Sequence, residues 1–270
     1  MTTTAAPTTT VAMRRRSREN KWLAPFIVFV TVMVLWEAVV RLLQVPVFLL
    51  PAPSAILTTF LANAGMLLLY GFNTFRQAIV GFGIGCGLGI LVATFIARSQ
   101  TLSDVLVPFA VASNSVPIVA MAPLAIVWFG IGEGSKIAIV AIMCFFPMLV
   151  SMVRGLNAAS LAEVELMRSY AASEWETFTK LRVPTALPYL FNAFKICSTL
   201  SMIGAIVAEF FGGSVKYLGV YIKTEANILH TTEAWAAIVV ACLIGIAFYL
   251  AIVGVERALM PWHVSQRGSE

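Results

Sequence analysis

Six long apolar runs leave this chain few folds to choose from. They cover about 24–44, 74–97, 106–128, 135–154, 187–210 and 234–256, and carry few charges. Each reaches the roughly 20 residues that a helix rising about 1.5 Å per residue needs to cross a hydrocarbon core about 30 Å thick. Unpaired backbone groups are costly in lipid, so the runs read as helices. They do not alternate apolar and polar residues, as the strands of a membrane barrel do. The composition agrees: 60% of the 270 residues are hydrophobic and 11% are charged, against roughly 25% charged in a soluble domain. A soluble core and a disordered chain are both excluded. The sequence predicts an all-α integral membrane protein with six transmembrane helices. Its membrane domain spans 21–260, between a Thr- and Ala-rich tail (1–20) that reads as disordered and a short tail (261–270).

The pI near 9.2 does not indicate nucleic acid, because the basic residues form no patch. They sit at the edges of apolar runs, which is how charge orients a membrane protein. With the N-terminus in the cytoplasm, that side holds Arg14, Arg15, Arg16, Arg18, Lys21, Arg98, Arg154, Arg168, Lys180, Arg182, Arg257 and Arg267. The outside holds only Lys136, Lys216 and Lys223. Both termini are therefore expected inside, in a prokaryotic plasma membrane. The four cysteines, Cys86, Cys144, Cys197 and Cys242, lie within the runs at no metal or CxxC spacing. They read as small buried apolar residues, and no metal is expected.

One predicted cytoplasmic loop, 155–186, is long enough to do work. Ser160 precedes Glu163 by three residues, and Ser173 precedes Glu176 likewise. Each pair is a capping box, in which the serine accepts from a backbone N–H and the glutamate reaches back to the cap. Two short helices are expected, about 161–171 and 174–182, with Ala171-Ala172-Ser173 as the bend. Val183-Pro184 is expected to stop the second, since the residue before proline disfavours the α region. Leu161, Val164, Met167, Tyr170 and Ala171 share an apolar stripe on the first helix. Trp175 and Phe178 share a side of the second. The pattern suits a pair resting on the membrane or one docking a cytosolic partner.

The stretch from Glu165 to Pro188 resembles the EAA loop of ABC importer permeases. The match lies at Glu165, Ala172, Ser173, Trp175, Phe178, Lys180, Pro184 and Pro188. Leu166 and Met167 stand where that family usually has two alanines, and Ala171 where it usually has glycine. PVFLLPAPSAI (46–56), VPIVAMAPLAIVWFGIGEGSKI (116–137) and FFPMLVSMVRGL (145–156) are similar to the nitrate, sulfonate and taurine branch. The resemblance implies a permease subunit of the binding-protein-dependent inner-membrane component family. It implies pairing with a second permease copy or homologous subunit, two cytosolic ATPase subunits, and an extracytoplasmic substrate-binding protein. The coupling residues it implies are Glu163, Glu165, Ser169, Tyr170, Ala171, Ala172, Ser173, Glu174, Trp175, Glu176 and Phe178. ATP and Mg would be held by the partner subunits and no cofactor by this chain. The substrates it allows are nitrate, sulfonates, taurine, or heterocycles such as a thiamine precursor or riboflavin. The residues agree on one point: no G-x-x-x-x-G-K-[ST] phosphate loop is present.

Polar groups inside the runs are the candidates for a translocation path, because ionisable residues at bilayer depth are expensive. Lys195, Ser198, Thr199, Met202 and Glu209 fall within about 40° of one stripe at 100° per residue. Ser113, Asn114 and Ser115, just before Pro117, are second candidates. Interhelical hydrogen bonding accounts for both sets equally well. Glu209-Phe210-Phe211, expected near the outer mouth, disfavours a bare anion. Glu37 and Arg41 read as an internal ion pair one turn apart. Arg76 is expected to snorkel, Glu256 to reach water, and Gly81, Gly85 and Gly89 to admit a close helix neighbour. The rival reading is a stand-alone ion-coupled secondary transporter, for which inverted repeats and broken helices would speak.

Overall fold

The computed structural model describes residues 23–113 and 115–260, and these form helices and short connections with no strand. In chain order they are α1 (Leu23–Leu42), α2 (Pro53–Ala62), α3 (Ala64–Ile96), α4 (Gln100–Ser113), α5 (Ile118–Phe129), α6 (Glu133–Leu156), α7 (Leu161–Ser169), α8 (Glu174–Thr177), a π-helical turn (Phe178–Arg182), α9 (Val183–Glu209), α10 (Leu218–Asn227) and α11 (Thr231–Leu259). Among the described residues, five helices are long and apolar enough to cross a membrane: α1, α3, α6, the helix from Glu174 to Glu209, and α11. The pair α4 and α5, bent by 93°, makes a sixth if counted as one span. The tails and Asn114 lie outside the described residues.

The core is a bundle of α3, α6 and α9 built on small residues: Ala78, Cys86, Val140, Cys144, Ala193 and Cys197. Gly85 shows why. A Cβ there would overlap the Ala141 carbonyl of α6, so the two backbones meet with nothing between them. Two thiols lie where α6 and α9 meet. Cys144 Sγ donates to the Cys197 carbonyl at 3.5 Å, and Cys197 Sγ to the Cys144 carbonyl at 3.3 Å. Cys242, expected to be buried, is exposed. The α1 helix leaves most of its apolar side chains uncovered.

Three expectations need correction. Helix α3 starts at Ala64, ten residues before the predicted span, and the short helix α2 precedes it. Asn63 and Asn73 kept the apolar run from extending this far back, but they and Thr74 are satisfied within the fold. The span expected over 106–128 is not one helix, for Pro117 caps the start of a new one, α5. Finally, Val183-Pro184 does not stop the second loop helix. Val183 keeps helical angles, φ −64° and ψ −50°, and its N–H reaches back five residues to Phe178. The wider π turn leaves room for the proline ring, whose clash with the carbonyl four residues back would break an ordinary turn.

Candidate coupling hairpin and translocation path

The segment between α6 and α9 is a hairpin that satisfies its own backbone. Ser160 Oγ accepts from the Glu163 N–H at 3.3 Å, while Glu163 accepts from the Ser160 N–H at 2.8 Å. Ser173 and Glu176 repeat the arrangement at 3.2 and 3.0 Å. Both predicted capping boxes are present. The Ser160 backbone N–H, and then its hydroxyl, hold the Glu163 carboxyl below the usual carboxylate range. Helix α7 ends two residues earlier than expected, in a Schellman motif. Ala171 N–H bonds the Arg168 carbonyl and Ala172 N–H the Met167 carbonyl. Ala171 takes φ +55°, the left-handed conformation that favours glycine. The bend is thus the glycine bend, made by alanine at a steric cost of about 1–2 kcal/mol.

Among the side chains the hairpin leaves open are large apolar ones. Leu161 is 83% exposed, Tyr170 77% and Trp175 67%, and no α7 residue is buried. Trp175 stacks on Phe178 with ring centroids 5.9 Å apart. Glu165 and Glu174 are exposed, Ala172 is half-buried, and Ser169 Oγ is turned back onto the Leu166 carbonyl. Beneath the hairpin a cleft of about 330 Å³ is lined by Thr94, Arg98, Trp175, Phe178 and Arg182. Arg182 Nη1 donates to the Ala97 carbonyl at 3.3 Å.

The structure does not bring the α9 stripe to one opening. Lys195 pairs with Glu256 of α11 at 3.0 Å, so Glu256 does not simply reach water. Ser198 is buried and donates to the Lys195 carbonyl, and Thr199 donates to the Ile196 carbonyl. Thr199 and Met202 line an apolar cavity of about 390 Å³ against α10 and α11. Glu209, 1% exposed, lies at the end of the bundle opposite the hairpin. There its Oε2 accepts from Thr74 Oγ at 3.1 Å and the Gly219 N–H at 2.7 Å. The Leu218 N–H goes to Thr74 Oγ at 3.0 Å. Glu209 and Thr74 therefore cap α10 from outside, supplying the acceptors its first turn lacks. Gly219 permits the contact, since a Cβ there would sit 2.6 Å from the Ile206 carbonyl oxygen.

This opposite end is a polar network that sequence reasoning missed. Arg76 pairs with Glu133 rather than snorkelling alone, and Tyr217 donates to Glu133 at 2.8 Å. Lys136, 2% exposed, donates to the Ile131 and Gly132 carbonyls at 2.9 Å each. Glu37 and Arg41 pair as expected, with Ser54 Oγ donating to Glu37 at 2.8 Å.

Between the two ends, where α4 gives way to α5, lies a cavity of about 640 Å³. Ser113, Ile118 and Met121 line it from the break, Met143, Phe145 and Phe146 from the middle of α6, and Leu200 from the middle of α9. Ser113 Oγ donates to the Phe109 carbonyl and Ser115 is exposed. Irregular backbone at membrane depth is tolerated where it lines a cavity, and Ser113, Val116 and Ile118 beside this break line this one.

Comparison with known proteins fits this geometry. Residues 85–262 match the family model described as binding-protein-dependent transport system inner membrane component. The chain is 30% identical over 264 residues to the riboflavin transport system permease protein RibX of Chloroflexus aurantiacus, covering 96% of this chain and 98% of that protein. It is 29% identical to the formylaminopyrimidine transport permease protein ThiX of Halalkalibacterium halodurans, covering 92% and 99%. To the taurine transport system permease protein TauC of Escherichia coli it is 25% identical, covering 92% and 95%. A chain from a solved structure of the MetNI methionine ABC transporter in inward-facing conformations aligns with TM-score 0.53 and 20% identity, over 77% of this chain and 98% of that one. That likeness shows a shared fold. The chain belongs to the binding-protein-dependent transport system inner membrane components, the permeases of ABC importers.

Proposed function

We propose that the chain is the solute-conducting half of an ATP-driven importer, with both termini in the cytoplasm and the α7–α8 hairpin docked in a partner ATPase. The observation that carries this is the hairpin itself. Its backbone is rigid and self-satisfied, while Leu161, Tyr170 and Trp175 stand uncovered. Large aromatics presented on a fixed scaffold are what interfaces use as anchors. The basic residues near this end support the orientation. Two ATPase subunits would supply ATP and Mg, a second permease copy would cover the exposed face of α4 and α5, and a binding protein would deliver solute at the opposite end. ATP-driven movement of the hairpin would reach the bundle directly, because α8, the π turn and α9 are one continuous helix. The path is assigned to the midplane cavity with Ser113 and Ser115. Glu209, Lys195 and Ser198 are assigned to holding the bundle.

The broken span is the one feature that also suits a stand-alone secondary transporter, and the test separates the two. The chain is purified with its cognate ATPase and binding protein and reconstituted into vesicles. Solute uptake that requires ATP and both partners is expected. Uptake by the chain alone, driven by an ion gradient, contradicts the reading. A single cysteine at Ser173 should be shielded from an impermeant thiol reagent in intact cells, whereas one at Ser214 should react.

A further inference from the structure

We infer that the midplane cavity passes a flat, uncharged heteroaromatic ring and is closed to a bare anion. This deepens the path assigned above and rests on it. The first observation is the wall. Phe145 and Phe146 meet edge to face at 5.0 Å. Met121 and Met143 complete the apolar surface, with Leu200 behind it and Ser113 as the one described hydroxyl. Aromatic edges and thioether sulfur both favour π faces. A volume of about 640 Å³ lies within the usual range for small-molecule sites, roughly 300–1,000 Å³.

The second observation is where the positive charges go. A bare nitrate or sulfonate at bilayer depth needs a compensating cation or several donors. Within the spans the described basic residues are already committed. Arg41 pairs with Glu37, Arg76 with Glu133 and Lys195 with Glu256. Lys136 is spent on two carbonyls. None of the four lines the cavity. Arg98, Arg154 and Arg257 stand at the hairpin end of their helices. A neutral ring needs none of these charges. Glu209 does not bear on the choice of solute, because it is buried beneath α10.

The test reads the cavity without depending on ATP coupling. Cys86, Cys144, Cys197 and Cys242 are replaced by alanine and Met121 by cysteine. In membranes, labelling by a small neutral thiol reagent is timed with riboflavin, taurine or nitrate present. Riboflavin is expected to slow labelling at least tenfold, and taurine and nitrate to leave it unchanged. Adding Phe146→Ala should raise the riboflavin concentration needed about tenfold, while Leu91→Ala, exposed and outside the cavity, should not. Protection by taurine or nitrate, or none by riboflavin, overturns the inference. So does a Phe146→Ala variant protected like its parent. Should the quadruple replacement fail to fold, the same competition is read as uptake by the reconstituted wild-type importer. Ring uptake is then expected, and uptake of anions alone overturns the inference. Loss of ATP dependence with ring protection intact would strike only at the importer reading.

Discussion

The two ends of this bundle are stabilised in opposite ways. At the hairpin end every bond in the two capping boxes spans three residues, and α7 has no buried residue. At the opposite end the bonds are long-range. Thr74 reaches Glu209 and Leu218, Asn73 reaches Lys216, and Tyr217 reaches Glu133. One end makes its caps from its own neighbouring residues and presents large apolar side chains outward. The other exists only when α3, α6, α9 and α10 are assembled, and buries Thr74, Lys136 and Glu209 between them. A segment that must fit a partner and transmit its motion needs the first kind of order. A seal between helices needs the second.

The contrast breaks first at Gly219. Gly219→Val would drive side-chain atoms into the Ile206 carbonyl and Glu209. Overpacking of this kind typically costs about 1–3 kcal/mol and more where backbone is met. Loss of monodisperse protein on size exclusion in detergent is expected. Glu209→Ala leaves the Gly219 N–H buried without its acceptor, at about 1–3 kcal/mol. A lowered global melting temperature is expected, with the hairpin's protease resistance unchanged. Ser160→Ala should behave in the reverse sense. Losing this cap costs about 1 kcal/mol locally, so loop 155–186 should be cut faster while the melting temperature stays. The Glu163 carboxyl is held low, so its contribution is complete above the ordinary carboxylate range and is lost only as pH falls through the lowered value. Cleavage should be constant from about pH 8 to about pH 5. The smallest effect is a gain. Ala171→Gly relieves about 1–2 kcal/mol of left-handed strain and returns about 0.5–1 kcal/mol of chain entropy. Slightly slower cleavage of the loop should result.

The same contrast explains what the sequence revealed. Ser160 with Glu163 and Ser173 with Glu176 were legible because each box is written within four residues. The apolar runs were legible because length and composition suffice to mark a span. Glu209 became a path candidate from its stripe alone, since its partners, Thr74 and Gly219, lie on other helices and no periodicity points to them. Lys195 was placed on a polar stripe, but its partner is Glu256, 61 residues away. The π turn at Phe178–Arg182 overrode the stop expected at Val183-Pro184, since an added residue in a turn leaves no compositional trace. The break before α5 could be located from Pro117, but its 93° bend could not.

The proposed coupling depends most heavily on the hairpin as the element that an ATPase grips, and Ala171 tests it most directly. Glutamate at this position carries the same left-handed backbone penalty as alanine, so the comparison isolates charge and bulk at the bend. An uncompensated buried charge costs about 3–5 kcal/mol. Ala171→Glu should therefore lower co-purification with the ATPase subunit at least a hundredfold and abolish ATP hydrolysis stimulated by the binding protein, while the permease still folds. Ala171→Gly should retain both. If Ala171→Glu co-purifies and hydrolyses ATP like its parent, the hairpin is not the coupling element and the proposed docking is wrong.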